Sequence, residues 1–309
     1  MKIFVTGATG VLGRPVVKSL VEAEHQVQAL SRSTKDAALL QGLGARPVEV
    51  DLFDVTALTT VLTGTHAILH LATKIPPTDQ VGKRSSWLEN DHLRRDGTRC
   101  LVEAALATES VQHIIYPSYA FLYPDSGAIW IDASTTTARP GPLLQSSLDA
   151  EAAVTRFAQE GRHGVSLRLA SLYGPESGAT REQIEYAQKG LAALPGAKEA
   201  YFPQLWVQDA ASALISALSE SVLSGIYDVG DDEPLTRGEL FDVMAHAVGR
   251  KHLLALPGPL LHLFSGVAYD QISRSLRLSN RHFKEISGWK PLVVSAREGW
   301  TQLVQEGKP

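Results

Sequence analysis

The chain has one cysteine, Cys100, which excludes an internal disulfide and fits a reducing compartment. Long apolar runs are missing too. The most apolar stretch, Leu253 to Ala268, is interrupted by Pro257, Pro259 and His262 and is too short to span a bilayer. It reads instead as a buried helix or the wall of a pocket. Neither sign of charge dominates: 29 Lys and Arg against 33 Asp and Glu leave a formal net charge of −4. Such a balance offers no general attraction to nucleic acid or to an anionic membrane. The 10 histidines form no HExxH pattern and have no cysteine partners, so no metal site is expected. His66 and His70 lie on a strand-like run, too far apart to chelate, and read as core or edge histidines. No Gly-x-Ser-x-Gly elbow, internal repeat or low-complexity segment is present. The first strand starts at Lys2 with no signal peptide ahead of it, which makes the cytoplasm the default expectation.

What is present begins with Lys2-Ile3-Phe4-Val5, a short apolar strand, followed by Thr6-Gly7-Ala8-Thr9-Gly10-Val11-Leu12-Gly13. An amphipathic helical pattern runs on to Glu24. Strand, glycine loop and helix together build a phosphate site. Gly7 takes the tight turn, Gly10 lets the backbone approach a pyrophosphate, and Gly13 lets the helix pack close to the sheet. The helix N-terminus adds free N–H groups and partial positive charge, with Thr9, Val11 and Leu12 in the same loop. The reading is a dinucleotide site.

Strand-like runs at 2–6, 26–31, 45–50, 66–71 and 111–118 alternate with helical patterns at 11–24, 34–43, 54–62 and 85–108. A helix at 143–161 and a strand at 164–169 continue the alternation. This order predicts an α/β fold, a Rossmann-type doubly wound parallel sheet whose ligand lies beyond the strands' carboxyl ends. After Tyr173-Gly174-Pro175 the regularity breaks. The expected division is a dinucleotide-binding domain over 1–175, with 205–230 returning to it, and a smaller, mostly helical cap from 176–204 and 231–309.

The second strand ends Leu30-Ser31-Arg32-Ser33, without the carboxylate that would bind a ribose 2′-hydroxyl and mark NAD. Arg32 would instead stack on adenine and pair with a 2′-phosphate, and Arg14 would reach the same phosphate. The alternative is that both are solvated surface arginines. NADP is therefore favoured over NAD. Asp51 and Leu52 are placed to meet the adenine edge, and Leu71, Ala72 and Thr73 to line the nicotinamide side.

Together these pieces resemble the extended short-chain dehydrogenase/reductase family, the nucleotide-sugar epimerase and dehydratase group. The glycine loop, His70-Leu71-Ala72, Asp96-Gly97-Thr98, Tyr173-Gly174-Pro175, Trp206-Val207-Gln208-Asp209-Ala210 and Ile226-Tyr227-Asp228-Val229-Gly230 fall in the family's order. The resemblance implies chemistry on a Tyr and a Lys four apart on one helix, aided by a Ser or Thr and an Asn. Here Leu143 stands in the tyrosine place and Ser147 in the lysine place, and none of the eight tyrosines has lysine four residues later. The family's Ser or Thr place holds Tyr119, beside Ser118, and its Asn place holds Arg94. The resemblance also makes a homodimer through helices 85–108 and 143–161 an expectation.

Tyr119 is the first candidate to replace the missing device, as proton donor or as aromatic pocket wall. Lys74 would approach the ribose or an anionic substrate, or stay a surface lysine in the Ile75-Pro76-Pro77 turn. Ser118 would orient a carbonyl or bond backbone. Arg94 and Tyr123 are weaker candidates, Arg94 reading equally as a solvated helix residue. Asp132 and Trp130 read as parts of a lid. The loops Phe121-Leu122-Tyr123 and Leu253 to Phe264 suggest a small, fairly apolar substrate, and no arginine clamp for a sugar nucleotide's diphosphate is evident. Two functions follow: an NADP(H)-dependent oxidoreductase reducing an activated C=C, C=N or C=O bond, or a catalytically inactive NADP(H)-binding sensor or scaffold. A non-redox lyase or isomerase has no residue evidence.

Overall fold

The computed structural model describes residues 1–306, so the last part of the expected cap, 307–309, lies outside the described residues. In chain order the first half runs β1 (Lys2–Thr6), α1 (Gly13–Glu22), β2 (Gln26–Leu30), α2 (Thr34–Gly42), β3 (Arg46–Val48), α3 (Val55–Leu62), β4 (Ala67–His70), α4 (Leu88–His92), α5 (Thr98–Leu106) and β5 (His113–Tyr119). It continues with β6 (Trp130–Ile131), α6 (Gln145–Gln159), β7 (His163–Leu169), β8 (Ser171–Tyr173), α7 (Gly178–Gln188), β9 (Leu191–Ala192), β10 (Gln204–Trp206), α8 (Val207–Ser216), β11 (Gly225–Val229) and α9 (Arg237–Ala247). The C-terminal part adds β12 (Leu254–Ala255), α10 (Gly258–Ser265), α11 (Tyr269–Ile272), β13 (Arg277–Leu278), α12 (Arg281–Ser287) and α13 (Ala296–Glu306).

Seven strands form one parallel sheet in the order β11-β7-β5-β4-β1-β2-β3. The chain winds outward from β1 to β3, then crosses back to place β4 on the other side of β1, which makes the β1/β4 junction the switch point. Alternate side chains of each strand feed two cores. Ile3, Val5, Leu69, Ile115 and Leu167 pack in the core that also holds Val16, Val17 and Leu20 of α1 and Leu214 of α8. Phe4, Ile68, Ile114 and Tyr116 pack in the core shared with Leu58 of α3, Leu101 of α5 and Val154 of α6. Sequence pattern and burial agree on the doubly wound class.

The helix expected over 85–108 is broken into segments. Arg84–Trp87 forms a tight 3₁₀ turn before α4, and Leu93–Gly97 forms a widened π turn between α4 and α5. Within this turn the Thr98 hydroxyl donates to the Arg94 carbonyl, and Gly97 leaves room for Leu52, whose Cδ2 would stand 2.8 Å from a Cβ there. Leu253 to Ala268 is also not the buried helix expected. Leu254 of β12 and Leu263 of α10 are exposed at 70% and 75%, while Leu261 of α10 is buried. Phe121, Leu122 and Tyr123 do not line a pocket either; they are core residues.

Short strand pairs tie the C-terminal part to the rest: β8 with β10, β9 with β12, and β6 with β13. Buried carboxylates act as staples. Asp209 at the start of α8 accepts from the Leu292 and Val293 amides at 2.8 and 2.9 Å, and Asp231 from that of Ala296 at 3.0 Å. The sheet's β5–β7–β11 side carries a longer buried network. Ser118 donates to Glu151 at 2.5 Å, Glu151 takes a bidentate pair from Arg168 at 2.9 and 2.7 Å, and Arg168 lies over the Tyr123 ring. The Tyr123 hydroxyl in turn donates to Asp228, which also accepts from the Ala133 amide. Removing one member of a buried ion pair leaves its partner charged and desolvated. Arg168→Met is expected to lower the unfolding free energy in urea by about 3–5 kcal/mol, while Glu151→Gln in the same background recovers part of that loss.

Candidate functional site

The turn out of β1 is possible only for glycine. Gly7 has φ +66°, and a Cβ there would stand 2.5 Å from the carbonyl carbon and oxygen of Leu71, just after β4. A Cβ at Gly13 would meet the Gly7 carbonyl oxygen at 2.2 Å. The loop is therefore folded on itself, closed by the Gly10 amide donating to the Gly7 carbonyl at 3.1 Å. Ser33 and Asp54 cap α2 and α3 with side-chain bonds, but no side chain caps α1 and its first turn holds no acidic residue. An uncapped helix end behind a glycine cradle fits a pyrophosphate.

This loop forms one wall of a cavity of about 470 Å³ at the carboxyl ends of β1, β4, β5 and β7. Leu71, Thr73 and Ile75 after β4, Trp87, Asn90 and Arg94 from the α4 region, and Pro117, Ser118 and Tyr119 of β5 complete much of it. Leu144 and residues 169–172 close the far side. Among the lining residues Arg94 alone carries a charge. A second hollow of about 890 Å³, between α7, α9 and α13, has no glycine cradle and lies away from these strand ends.

Gly7, Gly10, Val11, Leu12, Gly13, Leu71 and Thr73 line this one cavity. Thr9 and Ala72 are half-buried beside it without lining it. Arg14 is half-buried with an unpartnered Nε, and Arg32 is exposed shortly after β2. Asp51 is exposed and caps its own turn, accepting from the Phe53 amide at 2.9 Å. Leu52 is a core residue packed over Gly97.

The three candidate catalytic residues part company. Tyr119 lines the cavity, stacked on Phe121 with centroids 4.8 Å apart. Burial pushes its phenol well above the ordinary tyrosine range against the opposing pull of Arg94, so it is a protonated donor at neutral pH. Ser118 lines the cavity too, but its proton is committed to Glu151. That proton points at Glu151 rather than at a substrate carbonyl in the cavity. Lys74 is exposed and outside the cavity; only its backbone amide takes part, donating to Asn90 Oδ1 at 3.1 Å. The extended backbone after β4 turns Thr73 and Ile75 inward and Lys74 outward.

Arg94 is not solvated. It is 7% exposed, and Nη1 donates to the Tyr116 hydroxyl at 2.8 Å and to Ser147 Oγ at 3.2 Å. Ser147, in the lysine place, is fully buried, and Leu143, in the tyrosine place, is a core residue that does not line the cavity. His70 is buried with Nδ1 2.7 Å from Thr6 Oγ1, its pKa pushed down to about 4 by burial first and Arg94 second. Asn90, missed in the sequence, fixes the loop after β4; Lys74 in the expected active loop gave no signal of it.

Fold and glycine cradle define a nicotinamide-dinucleotide-binding protein of the doubly wound class. The chain belongs to the NAD dependent epimerase/dehydratase family, whose model matches residues 3–230. A 3-diazoavenalumate denitrifying reductase of a Streptomyces species is 28% identical over 97% of this chain and 99% of its own length. A 2-alkyl-3-oxoalkanoate reductase of Stenotrophomonas maltophilia is 26% identical over 81% of this chain and 76% of its own. Among solved structures, a human epimerase family protein with NADPH superposes with TM-score 0.79 at 18% identity, covering 99% of each chain. UDP-N-acetylglucosamine 4-epimerase from Bacillus cereus gives 0.77 at 22%, also over 99% of each. Among the described residues, no helix is long and apolar enough to cross a membrane and no side-chain cluster could hold a metal ion.

Because no Cβ fits at Gly13, Gly13→Val is expected to abolish binding of the nicotinamide dinucleotide, NAD(H) or NADP(H), in calorimetry while circular dichroism still reports a folded α/β protein. Retained affinity would break the link between loop geometry and cofactor.

Proposed function

We propose that this chain is an NADP(H)-dependent reductase that delivers hydride to an activated C=C, C=N or C=O bond of a small, largely apolar substrate. The observation that carries this reading is the cavity itself, running from the glycine cradle to the Tyr119 phenol with an apolar lining. Bound NADPH supplies the hydride. The glycine loop and the open end of α1 hold its pyrophosphate, and Arg32, with Arg14 behind it, meets the 2′-phosphate that the carboxylate-free end of β2 accommodates. Tyr119 donates a hydrogen bond, or its proton, to the atom that gains electrons. Trp87, Leu144 and Leu172 exclude water around it. Acceptors that are electron-poor before binding need little further activation, which suits a site with leucine and serine in the places of the tyrosine and lysine. The end-to-end likeness to a named reductase supports reduction over epimerisation.

A second reading, a dinucleotide-binding sensor without turnover, draws on one observation: the Ser118 hydroxyl is already committed to Glu151. A panel of enones, imines and ketones with NADPH separates the two. Turnover of some member, with kcat reduced about a hundredfold in Tyr119→Phe and KM little changed, is the expected result. Tight NADPH binding with no turnover across the panel would favour the sensor. In the same preparations Arg32→Ala is expected to weaken NADPH about tenfold and leave NADH unchanged, read by titration calorimetry.

A further inference from the structure

Buried carboxylates here have their partners. Glu151 is held by Arg168 and Ser118, and Asp91 by Arg84 at 2.6 Å and Ser146 at 2.8 Å. Two buried guanidiniums, Arg237 and Arg94, form no ion pair among the described residues. Arg237 lies inside the C-terminal part and is spent on main-chain carbonyls of Ala200, Tyr201, Ile272 and Arg274. Arg94 differs in both respects. Its hydrogen bonds, to Tyr116 and Ser147, both use Nη1, and it lines the cavity that holds Tyr119; a buried Nε without acceptor is common to both arginines.

A desolvated cation without a counter-charge is costly, and an anion placed beside it in the same low-dielectric space binds strongly. The π turn at Leu93–Gly97 and the bonds to Tyr116 and Ser147 hold the guanidinium in one orientation. We propose that Arg94 is an anion receptor for the substrate, so that the reductase proposed above takes small, largely apolar molecules that carry a carboxylate. This rests on the cavity being the substrate site. With Nη1 bonded and Nε closed off, the guanidinium offers the carboxylate its positive charge and Nη2, and the Tyr119 side of the cavity is left for the bond being reduced.

The test titrates the full chain first with NADP⁺ and then, saturated, with benzoate and with benzamide, its uncharged counterpart of nearly the same shape. Benzoate is expected to bind about tenfold or more tightly than benzamide. Arg94→Gln should remove that preference, Arg94→Lys should keep part of it, and NADP⁺ affinity should stay within about twofold in both. Equal binding of the two probes, no binding of benzoate, or a benzoate preference that survives in folded Arg94→Gln would overturn the assignment. The wild-type comparison decides even where a variant does not fold. Failure of the cofactor reading would appear separately in the NADP⁺ titration, and benzoate against benzamide on the cofactor-free chain would still decide for Arg94.

Discussion

Between the end of β1 and the end of β4 there is room for a hydrogen atom and nothing larger. That contact, Gly7 against the Leu71 carbonyl, brings the two central strands' exits together at the point where the winding reverses. The glycine loop can then stand on one side of the cavity and Leu71–Thr73 on the other. A second approach, Gly13 against Gly7, keeps α1 aimed at the same space. Were either glycine replaced, strand spacing or helix placement would have to give, and the phosphate cradle with it.

Electrostatics divides the site into a fixed part and a receptive part. On the β5–β7–β11 side, Ser118, Glu151, Arg168, Tyr123 and Asp228 satisfy one another and reach the segment around Ala133. Burial raises the Asp228 pKa to about 7, against the opposing pull of Arg168 and of the Tyr123 hydroxyl. On the α4 side, Arg94 lines the cavity and has no ion-pair partner among the described residues. The polar groups that the sequence offers for chemistry therefore split into those consumed by the fold and those left for a ligand.

Much of the fold was legible in the sequence because local signals agreed with the global pattern. Alternation of strand and helix located the sheet, Asp54 marked its helix correctly as an N-cap, and the glycine spacing placed the cradle. Three things were not legible. Periodicity carries no mark of a π turn, so residues 85–108 read as one helix and Arg94 as a solvated residue. Hydrophobicity alone does not say which way an apolar run faces, so the exposed leucines near α10 were mistaken for a pocket wall and core residues 121–123 for a substrate loop. Nor does position along a strand end reveal that a hydroxyl is already taken, as Ser118's is by a glutamate from α6.

The widened turn at Leu93–Gly97 also has a bearing on how the helix meets its surroundings. An inserted residue resets the phase of the helix, so the cavity-facing half (Asn90, Arg94) and the sheet-packing half (Leu101, Ala104, Ala105) obey separate periodicities. The helix thereby behaves as two segments sharing a backbone, one phased to the cavity and the other to the sheet.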